Sequence, residues 1–169
     1  GAQPERDLRG EDGAHFGGAP ANFACSAAEL GGDAADVFIV GSVGRDDRGA
    51  RAIELLRGHG VDTTLVSRTA QPTGQVLVTL DAAGSPSFEI TTNTAWDNTV
   101  WTNETEALAA RADAVCFGTL GQRSEVSRAT IQRFMKSSRP DCLRILDINL
   151  RPPFWNEEII RQSLTLANV

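Results

Sequence analysis

The stretch VFIVGSVGRDDRGARAIELLRGHG, residues 37–60, changes its hydrophobic period once, and that change sets the fold class. Residues 37–44 are apolar or small over a strand's length, which is how a strand reads when both its faces are covered in a parallel sheet. Directly after them, Asp46 or Asp47 stands where a helix N-cap belongs. Gly49, Ile53 and Leu56 then recur at helical spacing until Gly58 and Gly60 stop the run. A buried strand feeding a capped amphipathic helix is the repeating unit of an α/β sheet.

The same reading extends outward. Upstream, in GGAPANFACSAAELGG (residues 17–32), Pro20 suits a first helical turn, Phe23, Ala27 and Leu30 form a stripe, and Gly31-Gly32 ends it, so a helix is expected over 20–30. Residues 1–16 carry no period and read as loop. Downstream the texture differs. Val76, Val78 and Leu80 alternate with Gln75, Leu77 and Thr79, DAAGSP turns the chain, and Phe88 and Ile90 alternate with Ser87, Glu89 and Thr91. This pattern predicts an antiparallel hairpin with one wet face. The α/β order then resumes: a helix near 103–112, a strand over 113–118, and a helix from Ser124 to about Ser137 whose stripe is Val126, Thr130, Phe134 and Met135. A strand over 143–148 and a helix opening near Asn156 follow. Alternating strands and helices predict a parallel, doubly wound sheet flanked by helices. The hairpin does not fit that layer and should project from it, over the edge where ligands collect.

Composition narrows the function classes. With 169 residues the chain fits one domain, and a net charge of −6 with dispersed Lys and Arg argues against nucleic acid. No apolar run approaches membrane-spanning length. Cys25, Cys116 and Cys142 are an odd set without a C-x-x-C pair, consistent with buried free thiols, and the N-terminus lacks a signal-peptide core, so a cytoplasmic protein is expected.

Several chemistries lack their residues. Gly44 to Gly49 followed by Ala50-Arg51 has neither the lysine nor the hydroxyl of a P-loop, and Gly41-Ser-Val-Gly44 lacks the G-x-G start of a dinucleotide turn, which disfavours half of a nicotinamide enzyme. His15 and His59 have no metal-ligand spacing, so no metal site is expected on them, and no serine or cysteine stands in a nucleophile elbow. Two stretches rise above this background. Gly17-Gly18 lets backbone amides approach a ligand at a helix start, and Asn22, one turn in, can donate and accept at once, as vicinal hydroxyls require. Read alone, the same residues also suit a turn and a local cap. In LDINLRPPFW, Asp147, Asn149 and Arg151 alternate where a buried strand ends, at the carboxyl edge of the sheet. Such a triplet with one cation suits an anionic or phosphoryl ligand; a strand end followed by a solvated loop is the alternative.

Taken in order, GGAPANFACSAAELGG, IVGSVGRDDRGARAIELLRGHGVDTTLV, PTGQVLVTLDAAGSPSFEI, FGTLGQRSEVSRATI and LDINLRPPFW resemble the first part of a ribokinase/PfkB-type sugar kinase, nearest its fructokinase branch. The resemblance implies a ribokinase-like α/β domain, here its N-terminal part over 1–169, and a projecting β lid with strands at about 63–92. It implies transfer of the ATP γ-phosphoryl group to a sugar hydroxyl with Mg²⁺. By the same resemblance, Gly17, Gly18 and Asn22 hold sugar hydroxyls, Asn149 and Arg151 line the site, with Arg151 meeting sugar or phosphate, and Thr119 stands near a sugar-contacting position. The family's opening strand with its acidic sugar contact has no counterpart in GAQPERDLRGEDGAH, and its catalytic Asp, anion hole and most of its ATP pocket are expected beyond Val169. The chain is thus expected to be truncated and not to turn over by itself. Kinases for 2-keto-3-deoxygluconate, ribose or nucleosides stay open, as does a non-catalytic sugar- or nucleoside-binding module. Lids of this fold can pair between subunits, so a homodimer is permitted.

Overall fold

The computed structural model describes residues 16–80 and 84–169; the expected loop over 1–16 lies outside them apart from Phe16. Helix α1 (Ala19–Gly31) is followed by strand β1 (Gly41–Gly44), helix α2 (Asp47–Gly58) and strand β2 (Val66–Thr69). The hairpin strands β3 (Val76–Leu80) and β4 (Pro86–Ile90) come next, then helix α3 (Asn103–Ala109), strand β5 (Ala114–Gly118), helix α4 (Glu125–Ser137), strand β6 (Leu143–Asp147) and helix α5 (Glu157–Leu166).

β1 pairs in parallel with β2, Gly41 opposite Val66, and β5 in parallel with β6, Ala114 opposite Leu143. β3 and β4 pair only with each other, antiparallel, with Val78 opposite Phe88. Within the expected lid span of 63–92, then, residues 66–69 run with β1 while 76–80 and 86–90 stand apart. After α5 the chain returns to β6: Asn168 N–H and Val169 N–H donate to the Arg144 carbonyl, and Leu146 N–H donates to that of Val169.

The expected strand over 37–44 is regular only from Gly41; ahead of it Phe38 makes an isolated parallel bridge to Asp62. Its alternation is nonetheless that of a sheet covered on both sides. Val37 and Ile39 pack with Ala24, Leu56 and Val61, whereas Phe38 and Val40 pack with Leu108, Phe117, Phe134 and Met135. Residues 37–40 are all half-buried, two against each cluster, which holds the strand between two helical layers.

The helices form for the reasons their sequences suggest, with two exceptions. Asp46 caps α2 by accepting from Gly49 N–H at 2.8 Å, and Gly49, Ile53 and Leu56 are its buried face. Asn156 caps α5 in the same way through Ile159 N–H. In α1 the expected stripe is on the wrong side: Phe23 is 47% exposed and Leu30 90%, while Ala24 is 4% exposed. Ala21, Ala24, Cys25 and Ala28 turn inward because only small side chains let α1 lie close against Val61 and Leu56. In α4, Val126 is exposed and Ser127 takes the inward position, donating its hydroxyl to the Gly121 carbonyl at 2.7 Å. In the hairpin Val76, Leu77, Val78 and Phe88, which represent both of its faces, are exposed, and Ile90 is half-buried. Cys142 is buried, whereas Cys25 and Cys116 are only partly so.

Candidate functional site

The paired-glycine turn opens α1. Gly18 is its N-cap with φ of 113°, a backbone angle that favours glycine, and Asn22 N–H donates to the Gly18 carbonyl at 2.9 Å. A Cβ on Gly17 would rest 3.8 Å from Asn22 Oδ1, so the amide lies over the turn. Gly17, Gly18 and Asn22 are exposed. The N-cap side chain is absent, so the first amides of α1 carry the helix's positive end without a capping oxygen from the protein's own Gly18.

The second group is built at the ends of β5 and β6. Thr119 is fully buried; its N–H donates to the Asp147 carbonyl at 3.3 Å and its hydroxyl to that of Asn149 at 3.2 Å. Its side chain therefore holds the backbone that carries Asn149. β6 ends at Asp147, so the expected alternation of Asp147, Asn149 and Arg151 runs past the regular strand. Asn149 is half-buried and Arg151 exposed. Residues 151–154 then close a turn through Phe154 N–H to the Arg151 carbonyl at 2.7 Å, with a cis bond between Pro152 and Pro153. No hydrogen bond or ion pair among the described residues joins this group to Gly17, Gly18 or Asn22; what relates them is α1 packing beside β5.

A third group escaped the sequence reading. Arg123 donates from Nε to Asp97 Oδ1 at 2.7 Å and from Nη2 to Asp97 Oδ2 at 2.8 Å, and Nη2 also reaches the Thr91 carbonyl at 2.6 Å. Its Cζ lies 4.4 Å from the Trp96 ring centre and 4.7 Å from that of Phe154. Both charged side chains are almost wholly buried. Burial pushes the Asp97 carboxyl up, but hydrogen bonds from Arg123 and the Thr94 N–H, together with the Arg123 charge, outweigh it and hold Asp97 below the ordinary carboxylate range. The partners are separated widely in sequence, so no local pattern announces them; the one available signal is a charged Arg123 directly after a strand-end loop.

Among the described residues no group of three or more His, Cys, Asp or Glu stands close enough to hold a metal ion. Burial and the nearby charge of Asp147 push the Cys116 thiol up, away from the thiolate a nucleophile needs. Among the described residues no helix is long and apolar enough to cross a membrane.

The profile described as pfkB family carbohydrate kinase matches residues 4–169. The uncharacterized sugar kinase PH1459 of Pyrococcus horikoshii is 33% identical over 162 residues, covering 92% of this chain and 51% of that protein. Fructokinase-1 of Zea mays is 33% identical over 155 residues, covering 89% and 47%. The Pyrococcus structure, solved in complex with ATP, superposes with a TM-score of 0.76 at 31% identity over 89% of this chain and 51% of that one. The fructokinase of Xylella fastidiosa gives 0.76 at 25% identity over 98% and 53%. The chain spans about half the length of these relatives.

Proposed function

Because this chain belongs to the pfkB family of carbohydrate kinases, we propose that it is the sugar-holding part of an ATP-dependent, fructokinase-like kinase that passes the γ-phosphoryl group to a sugar hydroxyl. The observation that carries the reading is the β3–β4 hairpin, an antiparallel pair outside both parallel pairs. Such a flap suits phosphoryl transfer, since water competes with the sugar as acceptor unless closure excludes it. The Asn22 amide and the glycine-turn backbone offer donors and an acceptor to adjacent hydroxyls. Each neutral hydrogen bond is worth only about 1 kcal/mol net, so selection comes from their sum. Asn149 and Arg151 form the wall that follows the end of β6, with Thr119 holding the Asn149 backbone; Arg151 is the cation able to meet a phosphoryl oxygen.

ATP as donor is supported by the nucleotide in the Pyrococcus structure. Mg²⁺, a cytoplasmic setting and a homodimer through the exposed apolar side chains of the hairpin belong to the same proposal. The base that takes the sugar proton is the expected downstream Asp, so these residues alone do not turn over. The test is ADP formation by the full-length protein with fructose, ribose, 2-keto-3-deoxygluconate and nucleosides, alongside calorimetry. Turnover with fructose is expected. Sugar binding without turnover would establish a non-catalytic binding module instead, and turnover with another acceptor would move the substrate.

A further inference from the structure

Arg123 joins parts of the chain that must keep a fixed relation if a flap is to close over a site. One is the base of the hairpin. Thr91, the residue after β4, donates its N–H to the Gln75 carbonyl at 3.0 Å, while its hydroxyl accepts from Gln75 N–H at 3.0 Å. Both legs are thereby latched at one level, and Arg123 Nη2 holds the carbonyl of that latch. Another is the segment 94–97, gripped through the two-pronged contact with Asp97, which also accepts from Thr94 N–H at 2.9 Å. The last is the turn 151–154, whose Phe154 ring lies against one side of the guanidinium while Trp96 lies against it too. The remaining amino group, Nη1, is buried without a partner.

We propose that Arg123 is a positioning residue: it fixes the angle of the hairpin relative to the Asn149–Arg151 wall by tying the Thr91 carbonyl, Asp97 and the Phe154 turn to one planar cation. It touches no substrate. The sugar-kinase reading supplies the meaning of that angle, but the mechanical claim stands on the contacts alone. Lysine keeps the charge and loses the fork, so it cannot hold Asp97 and Thr91 in one plane.

The test uses the full-length protein with Arg123→Lys and Arg123→Met, read by hydrogen–deuterium exchange and by sugar and ATP kinetics. In both variants exchange of the hairpin amides, residues 75–91, is expected to rise about tenfold while β5 and β6 keep their protection. The KM for sugar is expected to rise about tenfold, that for ATP to stay within about twofold, and ATP hydrolysis without sugar to increase relative to transfer. Unchanged hairpin exchange, or a rise shared equally by β5 and β6, overturns the proposal, as does an unchanged sugar KM in an active variant. Should both variants unfold, Phe154→Leu leaves the Asp97 contact intact and loosens only the side facing the turn, and the same hairpin exchange decides. If the protein phosphorylates no sugar at all, the kinase reading falls while the exchange result still judges the hinge.

Discussion

Asp46 and Thr73, separated by 27 positions, are joined twice: Thr73 N–H donates to Asp46 Oδ2 at 2.8 Å and the Thr73 hydroxyl to Oδ1 at 2.6 Å. The same carboxylate caps α2, and the Thr73 oxygen accepts from Gly44 N–H at 2.9 Å. One side chain thus fastens the entry to the hairpin onto the junction of β1 and α2. Asp46→Ala removes a cap and two further charge-assisted bonds, and is expected to cost about 2 kcal/mol. Asp46→Asn, which keeps one acceptor oxygen, should cost about half of that. Urea midpoints at constant m-value measure both.

Acid should weaken the fold through the same residue and through Asp97. Burial raises the Asp46 carboxyl, but the bonds from Thr73 and Gly49 and the charge of Arg48 outweigh it, and Asp97 is likewise held down by Arg123 and Thr94. A carboxyl with a depressed folded-state value contributes stability that is fully present above its unfolded value, near 3.8 here, and lost as pH falls through the lower folded one. Stability is therefore expected to drop below about pH 4, with a shallower drop in Asp46→Asn and Asp97→Asn. Denaturation curves collected down the acid range would show whether the two variants flatten it.

The glycine turn separates strain from recognition. At Gly18, where φ is 113° and ψ 141° and nothing lies within 4 Å of an added Cβ, alanine costs about 1–3 kcal/mol through backbone strain alone. Gly17→Ala meets only Asn22 Oδ1 at 3.8 Å, and its stability should stay within about 0.5 kcal/mol of the parent. Asn22→Ala should also fold normally, yet raise the sugar KM of the full-length enzyme about tenfold with ATP binding nearly unchanged. A sugar KM that does not move removes Asn22 from the site.

The true inner face of α1 can be tested by substitution. Leu30→Gln, at a position 90% exposed, is expected to change stability by less than about 0.5 kcal/mol. Ala24→Leu, at 4% exposure, should cost about 1–3 kcal/mol by overpacking. Thermal unfolding of the two variants gives the ordering.

These helices show what the residues disclosed. α2 was legible because its cap, stripe and stop are local: Asp46, then Gly49, Ile53 and Leu56, then Gly58. α1 misled because its largest apolar residues lie outward; close approach there selects alanine, and a search for bulk finds Phe23 and Leu30 instead. In α4 the inward Ser127 works through a hydroxyl bond, which hydrophobic period does not register. The hairpin was visible from its alternation, whereas the exposure of both its faces depends on what surrounds it. Gly17, Gly18 and Asn22 could be singled out because they share one turn of chain. Asp97, Arg123 and Phe154 meet only after the sheet has formed, so their convergence has no signature in sequence.

The hydroxyls at the inner end of β1 carry a further consequence. Ser42 Oγ lies 2.7 Å from Ser67 Oγ and 3.0 Å from Thr99 Oγ1, and Thr99 donates to the Trp96 carbonyl at 3.1 Å. Each hydroxyl has a single proton. With that of Thr99 directed at the Trp96 carbonyl, Ser42 can donate to Thr99, and Ser67 can donate either to Ser42 or to the Gly41 carbonyl at 3.4 Å. The chain of oxygens thus runs from β2 through β1 to the backbone carbonyl of Trp96, the residue whose indole stacks on Arg123. Deleting the oxygen of Ser42 would do more than remove its own two bonds: it would part Ser67 on β2 from Thr99 and the segment that carries Trp96.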